Sequence, residues 1–573
     1  MHILRHVVTI ARFSLSLSEA LMKCLPVFVI QLLAIYPLIA VGQGQEAMRA
    51  LLDPALANIS WFLFPICLAY SCILTAFFLF FLLDRWNYCA TDSARAFCRI
   101  WVPSMLTLFV GLLWPVAVET SSRQSTLWDA SLGFLIVVVI MIMVGCAWKL
   151  TKPVPSRKVM GFIAAAIAIL VGLWILGPIL AFYGASILAI TGFCALISRD
   201  FRDDNPGFRP WEYAHRVGIA FAVISAASVF LLSRTSVTLR MFLGAPTIIV
   251  CGFAFIVALA FIVTALLSRV SSVLVQLAWM LMIGVVFLSP LNHEPIRTIQ
   301  ASPKLPHRQP PSQHFIEWLR NRPQIRDSAA PYPVFFVAAQ GGGVRAAYWT
   351  STLLAGLEER YPGFSDHIYA ISGVSGGSVG GALFTSLYRD KLINGDTKCA
   401  PLEAGGKQGL RPCASYIFRW DFLGPPLSGF LLNDIPFGWY GVRRASYLEQ
   451  GLESAWFGST NTRLFEMPFQ AMWLQRPYQV PSLILNTTSA DDGRRIVVSN
   501  LQAKGELTDE PDVEELLRKP LRLSTATFLS ARFPIISPVA VGNSPEHGAI
   551  RLVDGGYMNY PPLNCAADGT ASL

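Results

Sequence analysis

Residues 371–378 read Ile-Ser-Gly-Val-Ser-Gly-Gly-Ser, and Ser375 lies at the centre of a Gly-x-Ser-x-Gly frame. An apolar segment, 368–371, precedes the frame, and a helix-compatible run, 378–388, follows it. A strand, a sharp glycine turn and a helix in this order lift a serine hydroxyl clear of the backbone, where it can act as a nucleophile. The segment therefore predicts an α/β fold with Ser375 as a candidate catalytic residue.

The sequence around this frame alternates between strand-like and helix-like segments. Strands are predicted at 334–338, 367–371, 482–486, 495–499 and 551–553, and helices at 344–360, 378–388 and 521–530. Such alternation favours a three-layer α/β domain, in which helices cover both faces of a mostly parallel central sheet. Functional groups in open α/β sheets gather beyond the carboxyl ends of the strands.

Two other loops follow predicted strands and carry residues suited to acyl chemistry. Gly341-Gly342-Gly343 stands directly before a helix, so its backbone N–H groups can stabilise a developing oxyanion. A dinucleotide-binding loop is the alternative, but Ala346 and Ala347 stand where the last glycine of Gly-x-Gly-x-x-Gly is needed. In the other loop, Asp554 precedes two glycines, which allow its carboxylate to approach a serine and accept the proton.

Histidine, the usual partner of a nucleophilic serine, is scarce in this half of the chain. After residue 331 there are only His367, which opens a predicted strand and is expected to be structural, and His547. An α/β-hydrolase triad of Ser375, Asp491 or Asp492, and His547 would have the correct chain order. That triad remains the alternative to a Ser375–Asp554 pair.

Three segments, taken together and in this order, resemble the patatin-like lipid acyl hydrolase (phospholipase) family. They are Gln340-Gly341-Gly342-Gly343-Val344-Arg345, Gly373-Val374-Ser375-Gly376-Gly377 and Asp554-Gly555-Gly556. The resemblance covers roughly residues 331–560 and implies hydrolysis of a membrane lipid by a serine–aspartate dyad. It implies Ser375 as nucleophile, Asp554 as general base, and an oxyanion hole formed by Gly341, Gly342 and Gly343 with Arg345 in support. It implies no metal and no organic cofactor.

The chain also differs from the family pattern at several positions. Gln340 and Ala346 stand where the family often has an acidic residue and a glycine. Residues 486–488 and 530–534 look like family framework and are expected to support packing. Few residues follow Asp554, so the hydrolase domain at 331–573 is expected to be shortened at its C-terminus.

The first half of the chain has the composition of a membrane protein. Of the 573 residues, 54% are hydrophobic and only 14% are charged. Uncharged apolar runs lie near 24–42, 60–83, 100–118, 130–148, 159–176, 179–197, 217–233, 241–267 and 271–289. Since most of them approach the length that crosses a bilayer as a helix, residues 1–289 are predicted to form an all-α bundle of about nine transmembrane helices. Eight is the alternative count, and the proline-rich stretch 290–330 is predicted to be a linker.

The distribution of Lys and Arg between the predicted loops places the N-terminus in the cytoplasm. Nine spans would then put the hydrolase domain outside the cytoplasm, and eight would put it inside. The eleven cysteines show no metal-ligand spacing, and a Cys399–Cys413 disulfide is compatible with an extracytoplasmic domain.

Charge and composition also limit the partners. The net charge of +9 is spread through loops, without a basic run interleaved with exposed aromatics, so nucleic acid is not expected as a partner. The lipid bilayer and its anionic headgroups are expected instead. A non-catalytic membrane scaffold or transporter with a degenerate hydrolase domain is the remaining alternative, although the cores of the runs lack the ionisable residues that transport pathways use.

Overall fold

A computed structural model describes nine stretches of the chain and a few isolated positions. The stretches are 210–267, most of 271–280, 293–299, 307–322, 331–395, 408–435, 443–509, 511–533 and 536–557, with short runs and single positions between 18 and 82 and single positions at 325 and 399. The contacts between residues are concentrated within two compact units of the chain. The first comprises Met1–Arg234 and Leu243–Ile283, and the second comprises Thr235–Phe242 and Gly284–Leu573.

The first unit contains two described apolar helices, α1 (Pro210–Ser233) and α3 (Ala245–Leu267). Helix α3 has 23 residues and contains an 18-residue window with a mean hydropathy of 2.9, and it is the only described helix that is long and apolar enough to cross a membrane. A buried helix of a soluble protein has the same properties, so α3 alone does not establish a span. The predicted nine-helix bundle is not shown, because most of the other apolar runs lie largely outside the described residues.

The second unit begins with helix α2 (Val237–Leu243), most of which belongs to it. The later helices are α4 (Pro311–Arg320), α5 (Gly343–Arg360), α6 (Gly376–Asn394), α7 (Leu410–Ile417), α8 (Gly424–Gly429), α9 (Arg444–Thr460), α10 (Val513–Leu517) and α11 (Leu523–Leu529). The strands are β1 (His293–Pro295), β2 (Phe335–Ala339), β3 (Ile368–Val374), β4 (Ser482–Ser489), β5 (Arg495–Ser499), β6 (Val539–Ser544) and β7 (Gly548–Asp554). Short 3-10 turns lie at Phe364–His367, Leu464–Glu466, Phe469–Met472 and Gly555–Tyr557, and a π turn lies at Phe430–Asp434.

The described strands form one seven-stranded sheet in the order β1-β6-β7-β4-β3-β2, with β5 also paired to β4. The pairs β1–β6, β2–β3 and β3–β4 are parallel, whereas β4–β5, β4–β7 and β6–β7 are antiparallel. The sheet is therefore mixed, and the prediction of a mostly parallel sheet needs correction. Connections as short as those between β4 and β5 and between β6 and β7 can join only antiparallel neighbours.

Strand β3 runs through the core and is buried along its whole length. Ile368 and Ile371 belong to the larger apolar cluster, which also contains residues of α5 and α6. Tyr369 belongs to a second cluster with Trp318 of α4 and Ile484 of β4. Since Ile368 and its neighbour Tyr369 belong to different clusters, β3 has apolar packing on both sides, as expected for the central strand of an α/β domain.

The stretch 290–330 contributes to this domain instead of acting as a free linker. Strand β1 pairs in parallel with β6, and Trp318 of α4 is fully buried. Arg308 forms buried ion pairs with Asp512 and Glu514. The prolines that suggest a linker include Pro311 at the first position of α4, where a missing N–H costs no hydrogen bond.

Candidate active site

Ser375 occupies the sharp turn between β3 and α6. Its backbone angles are φ 53° and ψ −126°, a region that a residue with a side chain enters only at an energetic cost. Such strain is typical of a serine that is presented for reaction. The two following glycines permit the turn, since a Cβ atom on Gly376 would collide with the backbone of Gly343, and one on Gly377 with that of Ala339.

The glycine loop between β2 and α5 lies beside this serine. A Cβ atom added to Gly341 would lie 3.0 Å from Ser375 Cβ and 3.7 Å from Ser375 Oγ. Gly342 and Gly343 have φ values of 147° and 63°, which favour glycine. The loop also forms the N-terminus of the 18-residue helix α5, where unpaired N–H groups and the helix dipole favour negative charge. Arg345 lies exposed on the first turn of α5.

Asp554 ends β7 and is only 4% exposed. Burial raises the pKa of its carboxyl group, while hydrogen bonds from the Gly556 N–H and the Ser375 side chain act in the opposite direction. The Gly556 N–H donates to Oδ1 at 2.8 Å. Oδ2 is buried and accepts no well-aligned hydrogen bond from the described residues. Oδ2 is therefore free to accept a proton from a serine hydroxyl, and catalytic hydrogen bonds often tighten only when substrate binds.

Ser530 connects the two loops that carry Ser375 and Asp554. Its carbonyl oxygen accepts hydrogen bonds from the N–H groups of both Ser375, at 3.0 Å, and Gly555, at 3.1 Å. Two residues further on, the carbonyl of Arg532 accepts from the N–H of Asp554 at 2.9 Å. The sequence assigned residues 530–534 to packing and loop support, and it gave no sign that their carbonyls bind both loops. We call residues 530–532 the bridging segment.

Two side chains of strand β4 also hold these loops. Asn486 Nδ2 donates to the carbonyl of Gly373 at 2.8 Å, just before the Ser375 turn. Thr487 Oγ1 donates to the carbonyl of Val553 at 2.7 Å, just before Asp554. In the sheet register, Thr487 lies opposite Asp554. The serine, the aspartate and the glycine loop, which are far apart in sequence, are thus brought together.

The residues of the alternative triad are not brought together. His547 lies in the turn between β6 and β7, where its ring contacts Ser544 Oγ at 3.4 Å. Asp554 stands at the opposite end of β7, about 20 Å away at the usual rise of a strand. Asp491 forms an exposed ion pair with Arg551, and Asp492 forms one with Arg494. His367, expected to be structural, contacts the carbonyl of Pro333 through Nδ1.

Two exposed aromatic side chains lie next to Asp554. Phe533, which directly follows the bridging segment, is 58% exposed, and Tyr557, three residues after Asp554, is 50% exposed. Their ring centroids are 6.3 Å apart. Burial and the charge of Asp554 raise the pKa of the Tyr557 hydroxyl. Phe533 and Tyr557 form what we call the aromatic rim, a feature that the sequence alone did not reveal.

The described residues contain no group of three or more His, Cys, Asp or Glu side chains placed to hold a metal ion. No known family model, curated protein or solved structure matches this chain.

Proposed function

We propose that this protein is a membrane-associated serine hydrolase that cleaves acyl esters of lipids. The observation that carries the proposal is the strained Ser375 turn, next to which both Asp554 and Gly341 lie. A nucleophile, a general base and a cluster of N–H donors are sufficient for acyl transfer through a covalent intermediate. The resemblance to patatin-like phospholipases is consistent with this chemistry.

In the proposed mechanism, Asp554 accepts the hydroxyl proton of Ser375 as Ser375 Oγ attacks the ester carbonyl carbon. The negative charge that develops on the carbonyl oxygen is stabilised by N–H groups of the loop at Gly341, Gly342 and Gly343, with Arg345 nearby. Collapse of the tetrahedral intermediate breaks the ester C–O bond, and Asp554 returns the proton to the leaving alcohol. A water molecule, deprotonated by Asp554, then attacks the acyl carbon. The bond between that carbon and Ser375 Oγ breaks, Asp554 returns the proton to Ser375 Oγ, and the fatty acid is released.

The aromatic rim supports an apolar acyl group as the substrate. Exposed rings beside a reactive serine lose unfavourable contact with water when an acyl chain covers them. We therefore expect the full-length protein to hydrolyse p-nitrophenyl octanoate with a higher kcat/KM than p-nitrophenyl acetate. Replacing both Phe533 and Tyr557 with alanine should lower this ratio about tenfold, which corresponds to about 1.4 kcal/mol of apolar contact. Steady-state hydrolysis of both esters measures it.

Tyr361 provides a matched control for the aromatic rim. It is also an exposed aromatic residue, but it caps the far end of α5, about 27 Å along that helix from the glycine loop. Tyr361→Ala should leave the octanoate-to-acetate ratio unchanged. An equal change in both variants would show that the rim does not bind the acyl chain. The absence of hydrolysis with either ester in the unmodified protein would contradict the proposed function itself.

We further propose that the protein is a multi-pass membrane protein whose hydrolase domain lies outside the cytoplasm. Cys399 and Cys413 form a disulfide, with Cα atoms 5.5 Å apart, that ties the segment after α6 to α7. Disulfides persist in oxidising compartments and are rare in the cytosol. Of the two span counts that the apolar runs allow, nine places the domain on the oxidising side.

Thiol labelling in denatured membranes tests this location. Without a reducing agent, a maleimide-polymer reagent should modify two fewer cysteines than after reduction, because Cys399 and Cys413 are bonded to each other. In the Cys399→Ser/Cys413→Ser double variant, this difference between reduced and unreduced samples should disappear. Equal labelling of the unmodified protein with and without reduction would place the domain in the cytoplasm.

A further inference from the structure

The bridging segment holds Ser375 and Asp554 through its carbonyl groups, so any group that fixes this segment also fixes the candidate site. Ser530 Oγ is hydrogen-bonded to Ser378 and to the carbonyl of Asn486, and Arg532, which is almost fully buried, provides a second side-chain anchor. Arg532 Nη2 donates to Glu449 Oε1 of α9 at 3.0 Å, and Nη1 donates to the carbonyl of Pro538 at 3.4 Å. The ion pair therefore joins the bridging segment to the helical layer.

Glu449 is fully buried, and both of its carboxylate oxygens have partners. Oε1 is bound by Arg532, while Oε2 accepts hydrogen bonds from Thr525 Oγ1 at 2.6 Å and Arg297 Nη1 at 3.0 Å. A buried carboxylate that loses a cationic partner becomes costly and shifts toward its remaining donors or toward water. The position of Arg532 thus depends on Arg297 through Glu449.

Arg297 comes from an unexpected part of the sequence. It lies two residues after β1, within the stretch that follows the apolar half and that the sequence predicted as a linker. Besides Glu449, it contacts Glu453 of α9 at 3.1 Å. Strand β1 pairs with β6, and the N–H of Ile296 donates to the carbonyl of Val541 at 2.9 Å, so the backbone that carries Arg297 is itself held in the sheet.

We propose that Arg297 and Glu449 are positioning residues for the reaction at Ser375. In this arrangement, Arg297 fixes Glu449, Glu449 fixes Arg532, and the carbonyls of the bridging segment hold the Ser375 turn and Asp554 in register. The inference rests on the proposed hydrolase function. It assigns a role in catalysis to a residue outside the region that resembles the family.

Arg297→Met tests this inference in the full-length protein. Since small displacements of catalytic groups reduce reaction rates strongly, we expect kcat to fall about 10- to 100-fold while KM for p-nitrophenyl octanoate stays unchanged. Arg297→Lys, which restores a cation next to Glu449, should recover most of kcat. If Arg297→Met does not fold, Thr525→Val supplies the same comparison, because it removes only the hydroxyl that donates to Glu449; we expect a severalfold loss of kcat.

Arg308 is the matched control. It comes from the same stretch and also pairs with buried carboxylates, but those belong to Asp512 and Glu514, away from the bridging segment. Arg308→Met should lower the thermal unfolding midpoint and leave the kcat of the folded protein unchanged. Equal losses of kcat in the two variants, or a loss in Arg297→Met that lysine does not recover, would overturn the positioning role. Hydrolysis that survives Ser375→Ala would instead contradict the proposed function.

Discussion

Replacing Ser375 with alanine is expected to abolish ester hydrolysis, with kcat lower by at least about 10⁴-fold. The substitution removes the only atom that the mechanism uses to form the acyl-enzyme, and Asp554 and the glycine loop cannot replace it. Hydrolysis of p-nitrophenyl octanoate measures the loss. A fluorophosphonate probe, which reacts with activated serines, should modify the unmodified protein at Ser375 and leave the variant unlabelled.

Ser386 serves as the control for this substitution. It is a buried serine of the same helix, about 15 Å from Ser375 at the usual helical rise, and its hydroxyl donates to the carbonyl of Ala382 at 2.8 Å. Ser386→Ala should keep the fluorophosphonate adduct at Ser375 and most of the hydrolytic rate. Labelling that moves to another residue, or hydrolysis that persists in Ser375→Ala, would show that a different group performs the reaction.

Asp554→Asn is expected to lower kcat by about 10²- to 10⁴-fold, the usual contribution of a positioned general base. Asparagine keeps a side-chain oxygen for the Gly556 N–H but cannot accept the serine proton. Since burial raises the pKa of Asp554 above the ordinary 3.8, the base is active above its raised pKa and becomes protonated as the pH falls through it. The acid limb of kcat against pH should therefore lie above 3.8, and Asp554→Asn should lack it.

Two further measurements separate this effect from unfolding. Because the raised pKa means that the folded state binds the carboxyl proton more tightly, the ionised group destabilises the fold above that pKa. Asp554→Asn should therefore unfold at a temperature no lower than the unmodified protein. Asp492→Asn changes an exposed carboxylate paired with Arg494 and should leave activity unchanged. Full activity of Asp554→Asn would exclude a serine–aspartate pair.

Local patterns in the sequence predicted the elements that carry the site. Strand β5 was predicted with the bounds observed, and β2, β3 and α5 were predicted within a few residues of theirs. Strands β6 and β1 were not predicted, and β1 lies in the proline-rich stretch that was predicted to be a linker. Both lie toward one edge of the sheet, where partners far away in sequence define the strand more than its own residues do.

The candidate site shows the same division. The Gly-x-Ser-x-Gly frame, the triple glycine and Asp554 each follow a strand, and this pattern was enough to predict that they meet. The pattern could not exclude the His547 triad. The order of residues in the chain does not show that His547 and Asp554 lie at opposite ends of the same strand, β7. Local sequence patterns could not predict three other features: the contacts of Ser530, the aromatic rim and the Arg297–Glu449–Arg532 connection. Each of them depends on residues that are widely separated in the chain.

By itself, the sequence determined the sharp turn at Ser375, the apolar first half and the α/β character of the second, because glycine, hydrophobic periodicity and strand-forming residues act within a few positions of one another. The tertiary structure alone decided that the sheet is mixed, that the stretch after the apolar half belongs to the α/β domain, and which acid lies beside Ser375. Those outcomes depend on strand pairing and on the burial of charges between distant segments, and their energies are fixed only when the chain is folded.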